Sequence, residues 1–220
     1  DLTSCVSSAS RDCRLSANSC RHAWHRLSPP VCRRESASTV LLSAPVDMAE
    51  NAAPDTAPVV PADDPRPILV VTDSRGRLKS WPFLQKQPYW KGYVSLCTRR
   101  TPPEHLAYLT RLGVKTLTAG EDRIDYRLAL ELLNRQFGIK VARVDSGGTL
   151  NGALLRDGLV DELHLLVHPL LLGGANPGTF FKDNHPERAQ GLALKLLQSE
   201  VLSEGIVLLS YAVLKGASPT

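Results

Sequence analysis

The chain holds 220 residues, 43% of them apolar and 22% charged, which is enough for one substantial core in a globular domain. No uninterrupted run of eighteen apolar residues occurs, which excludes a membrane-spanning helix. The formal charge of +4 is concentrated: six arginines in residues 1–46 meet only Asp1, Asp12 and Glu35, leaving +3 there and +1 elsewhere, too little for a nucleic-acid footprint on the folded part.

Residues 1–46 are rich in Ser, Arg, Cys and Ala and show no periodicity. An Arg- and Ser-rich, acid-poor composition is that of an organellar presequence. The alternatives are an inert, disordered leader or, over Ala37–Leu42, one short strand. Four of the five cysteines (Cys5, Cys13, Cys20, Cys32) fall here, at separations of eight, seven and twelve that match no paired CxxC zinc arrangement. With Cys97 alone in the remainder, a reducing compartment is expected: the cytoplasm, or an organelle if residues 1–46 act as a transit peptide. Residues 47–66 are dense in Pro, Ala and Asp and read as a linker, extended where prolines restrict it.

A folded domain is expected over residues 67–215. Ile68–Thr72 is a short apolar run, expected as a buried strand. Asp73, Ser74, Arg75, Gly76 and Arg77 follow at its carboxyl end, where open α/β sheets bind ligands. A serine hydroxyl and two arginines can hold a phosphate; the alternative is a solvated turn. KSWPFLQKQPYWKG (79–92) reads as a loop packed on the domain, and Tyr93–Cys97 as the next strand. Pro102 and Pro103 open a helix over Glu104–Leu112 with Leu106, Leu109 and Leu112 on one face. Val114–Leu117 is a strand, Asp125 caps a helix over Tyr126–Phe137, and Gly138 ends it. Ile139–Val144 returns to the sheet. The order β, β, α, β, α, β predicts an α/β fold with a largely parallel sheet flanked by helices.

The next stretch, VDSGGTLNGALLRDGLVDELHLLVHPLLLGG (144–174), organises the chain. A strand runs into Asp145, Ser146, Gly147 and Gly148, a helix spans Thr149 to near Gly158, and an apolar strand covers Leu163–Val167. A strand, a glycine turn and a helix N-terminus together make an anion cradle. The pattern is neither GxGxxG nor a Walker loop, so a tight turn without ligand is the alternative. His164 and His168 sit on one strand face roughly 13 Å apart, too far to share a metal. Neither an ordered Ser, His and acid set nor the HxE and PCxxC deaminase signature occurs. Leu192–Leu202 and Ile206–Leu214 then read as a C-terminal antiparallel pair, with imperfect alternation at Leu194, Leu196 and Leu197 that suggests a bulge.

The GG-T-L turn, GALLRDGLVDEL and HPLLLGG, in this order and spacing, resemble the reductase domain of the bacterial riboflavin-pathway deaminase-reductase. They are equally similar to the stand-alone pyrimidine reductases of archaea and fungi. The resemblance runs over about residues 67–214, and VVTDSRGRL also matches. It implies a dihydrofolate-reductase-like fold, a homodimer, and NADPH-dependent reduction of a ribosylaminopyrimidine 5′-phosphate in riboflavin synthesis. It further implies that Ser74 and Arg75 contact the adenosine end of NADPH, plausibly its 2′-phosphate. Ser146, Gly147, Gly148, Thr149 and Leu150 would receive the cofactor phosphates. Gly173 and Gly174 would close beside the nicotinamide, and Asp145, where the family has an acidic residue, would touch substrate or cofactor.

The family's amino-terminal MSLDG loop is absent, and ADDP at Ala62–Pro65 matches the family's VGxxTVxADDP piece only faintly. That departure keeps two other readings open. One is a degenerate homologue acting as a nucleotide-binding or structural subunit; the other is a family reductase for a different small heterocycle or carbonyl. Without another segment in that strand's place, an exposed sheet edge is expected.

Overall fold

The computed structural model describes residues 64–170, 181–182 and 191–215, together with the backbone of two strands at Thr3–Ser8 and Ser38–Ser43. The chain divides into two compact units. The first is Asp1–Leu2 with Glu35–Ala142, and the second is Thr3–Arg34 with Arg143–Thr220. Its fold class is the expected mixed α/β one, with parallel strands, flanking helices and a C-terminal antiparallel pair.

In the first unit, β2 (Ser38–Ser43), β3 (Ile68–Thr72), β4 (Gly92–Cys97) and β5 (Lys115–Thr118) pair in sequence order, all parallel. Strands β3 and β4 are buried along almost their whole length. That is why they read as continuous apolar runs rather than alternating ones. One core cluster joins Leu69, Val71 and Cys97 of the sheet to Trp81, Leu109 and Leu112. Trp81 begins α1 (Trp81–Gln85), a short helix where the sequence suggested a loop. Pro82 suits the first turn of a helix, and burial of the indole supplies the driving force that local propensity lacks.

Helix α2 (Pro103–Arg111) buries His105 and Leu109, with Leu112 just beyond its end, whereas Leu106 is only half-buried. The inward stripe therefore runs 105, 109 and 112 and carries a histidine where the apolar pattern had suggested Leu106. Helix α3 (Tyr126–Phe137) has the expected ends. The Asp125 carboxylate accepts the Leu128 N–H at 3.0 Å, and Gly138 takes a left-handed φ of 64°. Its buried residues are Ala129, Leu130 and Leu133; the apolar spacing in the sequence suggests Leu128, Leu132 and Leu133, of which Leu133 is buried and the other two are half-buried.

In the second unit, β1 (Thr3–Ser8) lies between β6 (Val141–Asp145) and β7 (Glu162–Val167), and pairs in parallel with β7. The strand pairs β7 with β9 (Val207–Val213), and β9 with β8 (Leu194–Val201), are antiparallel. The register shift between Leu196 and Gln198 is the suggested bulge. The β8–β9 turn places Glu204 and Gly205 at φ 62° and 74°, two successive left-handed residues that reverse the chain. Both β1 and β2 fall in the segment expected chiefly as a tail, although β2 coincides with the short strand offered as the alternative over Ala37–Leu42. Thr-Ser-Cys-Val-Ser-Ser and Ser-Thr-Val-Leu-Leu-Ser are too short and too polar at their ends to stand out by periodicity. Among the described residues no helix is long and apolar enough to cross a membrane.

Across β7 and β9, His164 faces Ser210 in register, and the His164 Nδ1 to Ser210 Oγ distance is 2.9 Å. Glu162 Oε2 lies 3.3 Å from the other ring nitrogen, but not well aligned with its N–H direction. Burial holds the His164 pKa below its ordinary 6.5, against the opposing pull of the Glu162 carboxylate.

The folded state thus binds fewer protons at this site than the unfolded chain. The associated stability is complete above pH 6.5 and is lost as the pH falls from there through the folded value. Thermal melts between about pH 8 and pH 5.5 are expected to show a fall in Tm that His164→Gln makes shallower; equal slopes would refute the assignment. Asp125→Ala is expected to cost about 1 kcal/mol in urea unfolding, the usual value of a helix N-cap.

Candidate functional site

Each unit carries one of the features expected from the sequence at the carboxyl end of a strand. In the first unit it is the loop that follows β3. Asp73, 4% exposed, anchors it. Its Oδ1 accepts the N–H of Arg77 and its Oδ2 that of Leu78, both at 2.9 Å. His105 Nε2 stands 3.1 Å from Oδ2, though its N–H points away from the ideal line, so this contact is as much electrostatic as hydrogen-bonded. Burial alone would raise the Asp73 pKa. The His105 contact and the two backbone N–H donors outweigh burial and hold it below the ordinary aspartate value.

The loop's other tie is backbone to side chain. The Ser74 carbonyl accepts the Thr101 hydroxyl at 2.9 Å and the Thr98 hydroxyl at 3.4 Å. With Asp73 committed inward, Ser74 is left half-exposed and Arg75 and Arg77 exposed. Two neighbouring arginines are already neutralised, Arg99 by Glu121 and Arg100 by Asp122. Among the described residues Arg75 and Arg77 have no such carboxylate. A surface pair of unneutralised guanidiniums beside a serine suits a phosphate monoester.

In the second unit the feature is the turn from β6 into α4 (Gly148–Arg156). Gly147 is the N-cap, with extended backbone (φ −85°, ψ 170°), and among the described residues no side chain caps the helix. The first-turn N–H groups are thereby left for an anion or water. Neither Gly147 nor Gly148 takes a positive φ, so what glycine contributes here is access rather than an unusual conformation. Gly148 is buried, Thr149 is exposed, and Leu150, 3% exposed, sends its side chain into the core, so only its backbone remains for a ligand. Asp145 and Ser146 are half-buried at the end of β6. Gly173 and Gly174 lie outside the described residues.

Five residues that shape these features were not singled out from the sequence. His105, Thr98 and Thr101 act from outside the loop they hold, and nothing in their local pattern signals it. Gly152 did carry a signal, because a glycine inside a helix costs about 1 kcal/mol and implies close approach. A Cβ there would stand 2.0 Å from the Lys182 carbonyl oxygen, and the Lys182 N–H donates to the Gly148 carbonyl at 2.8 Å. Asn151, wholly buried, donates from Nδ2 to the Ser146 carbonyl at 3.2 Å and so braces the turn from inside the helix.

Comparison with known proteins follows the same lines. The RibD C-terminal domain model matches residues 31–208. The 2,5-diamino-6-ribosylamino-4(3H)-pyrimidinone 5′-phosphate reductase of Methanothermobacter thermautotrophicus is 31% identical over 160 residues, 66% of this chain and 72% of that protein. A relative of the same name from Archaeoglobus fulgidus is 29% identical over 116 residues, 53% of this chain and 51% of its own length. Among solved structures, Acinetobacter baumannii RibD superposes with a TM-score of 0.64 at 22% identity, covering 97% of this chain and 58% of that one. A pyrimidine reductase-like protein of Corynebacterium diphtheriae gives 0.64 at 13% identity, covering 97% of this chain and 92% of that one. At those identities the superpositions speak for the fold, and the family match speaks for descent: the chain belongs to the RibD C-terminal domain family.

Proposed function

We propose that the chain is an NADPH-dependent reductase of a ribosylaminopyrimidine 5′-phosphate, the activity named for its archaeal relatives. The observation that carries this reading is the uncapped strand–glycine–helix turn at Ser146–Leu150 in a chain of this family. The residues present fit such a cofactor. An open helix N-terminus receives phosphate, and the unneutralised Arg75 and Arg77 beside Ser74 offer a second anion site on the first unit.

When bound, the nicotinamide supplies the hydride. The protein's part is to bind and orient. The first turn of α4 contributes backbone N–H groups from Gly148 to Leu150, held by Asn151 and by the seat of Lys182 on Gly148. Ser74 and Arg75 would distinguish the 2′-phosphorylated dinucleotide from its unphosphorylated form by charge-assisted hydrogen bonds. Asp145, which closes β6 next to the turn, would contact substrate or cofactor in this reading. Gly173 and Gly174 take the nicotinamide side in this reading. A family reductase acting on another heterocycle is the second reading, left open by the faint match of Ala62–Pro65 to the family's VGxxTVxADDP piece.

We further propose a homodimer formed through β8. This strand is the sheet edge, and its side chains are exposed along its length, Val201 at 75% and Leu196 and Leu197 at 52%. Antiparallel pairing of two copies about Leu197–Gln198 would set Lys195 opposite Glu200 of the second copy and Leu194 opposite Val201 of the second copy. Such pairing would also cover an apolar edge that otherwise invites aggregation.

Two experiments test these readings. Fluorescence titration should show NADPH bound more tightly than NADH, and single-turnover mixing with the ribosylaminopyrimidine phosphate should oxidise it. Arg75→Ala should weaken NADPH about tenfold and leave NADH nearly unchanged. Absence of NADPH binding at millimolar concentration would refute the reductase reading, and binding without turnover would favour the second substrate class. For the dimer, light scattering should give twice the chain mass. Lys195→Glu should shift it toward monomer, and adding Glu200→Lys should restore the dimer; a Lys195→Glu protein still fully dimeric would exclude β8 as the interface.

A further inference from the structure

We infer that His105 and Thr101, on and before the first turn of α2, are positioning residues that clamp the Ser74–Arg77 loop in its ligand-presenting form. The inference rests on the cofactor reading above for its function, but the clamp stands on geometry within the first unit. A helix position that should be apolar is occupied by a histidine 2% exposed. A buried imidazole without a task is costly. One edge of the ring faces the loop: Nε2 lies 3.1 Å from Asp73 Oδ2, off the line of a good hydrogen bond, and neither ring nitrogen has a hydrogen-bond partner among the described residues. A proton on Nε2 presents the positive edge of the ring to the Asp73 carboxylate, the tautomer that the proximity favours.

The fit is also one of shape. Gly76 takes a φ of 62°, and a Cβ added there would meet His105 Cβ and Cγ at 2.8 Å. Backbone of the loop lies flat on the imidazole, so Gly76 and His105 specify one another. Thr101 makes the second tie. Its hydroxyl donates to the Ser74 carbonyl at 2.9 Å while its oxygen accepts the Thr98 N–H at 2.9 Å. Asp73, one residue before Ser74, and Gly76, one after Arg75, are thus both fixed to the start of the same helix. Ser74 and Arg75 are held from both sides, without either side chain being used for the holding.

The test separates the clamp from the cofactor reading. In the full chain, hydrogen exchange of the Arg77 and Leu78 amides reports the Asp73 bonds without any ligand. His105→Leu, which keeps an apolar body and removes the donor, should speed their exchange about tenfold, and His105→Gln, which restores an N–H, should largely recover protection. With NADPH as probe, His105→Leu and Thr101→Val should each raise KM about tenfold with kcat within about twofold, and should leave KM for NADH nearly unmoved. Thr101→Val is nearly isosteric and serves as the second variant if His105→Leu does not fold. Unchanged amide exchange in every folded variant would overturn the clamp. Equal losses for NADPH and NADH, or a fall in kcat alone, would overturn its role in presenting Ser74 and Arg75. Faster exchange in a protein that binds no NADPH would uphold the clamp and sink the cofactor reading instead.

Discussion

A carboxylate removed from water remains ionised only if donors replace the water it has lost. Asp73 meets that condition with two backbone N–H groups and the edge of a buried imidazole. Because those donors come from its own loop and from α2, the demand for satisfaction becomes a demand for geometry. The end of β3, the turn behind it and the start of the next helix have one mutually consistent arrangement. The arginines that follow are exposed because the acid before them is not.

The second unit applies a different economy. There the turn is braced by backbone and amide contacts: Asn151 on Ser146, Lys182 on Gly148, and no charged side chain. Helix N-terminal N–H groups carry partial positive charge without a counterion to displace. The two features are therefore complementary in kind, a pair of full charges on one unit and a set of oriented dipoles on the other.

Much of this was legible in the sequence where one residue determines one local structure. Asp125 and Gly138 bracket α3 as their chemistry requires, and the apolar runs of β3 and β4 announce a sheet buried on both faces. Legibility failed where the partner is remote in sequence. The identity of His105 as a core residue depends on Asp73 and Gly76, about thirty positions earlier, and a helical wheel naturally preferred Leu106. The short helix at Trp81 failed for a related reason, since its stability comes from the cavity the indole fills. Strands β1 and β2 exist through pairing with β7 and β3 rather than through any pattern of their own. The two glycines fall at the strand-to-helix turn that the sequence places there, with ordinary negative-φ backbone.

Gly152 has a consequence for how this protein is to be studied by mutation. The obstacle to any side chain there is a main-chain oxygen, which has no rotamer to change. Alanine is therefore hardly gentler than leucine at this position, and a scan that grades residues by tolerance would rank Gly152 beside groups that meet the ligand. Intolerance at a helix glycine whose neighbour is a peptide carbonyl measures how closely two backbones approach. Read as chemistry, it would mistake a packing constraint for a contact with a ligand.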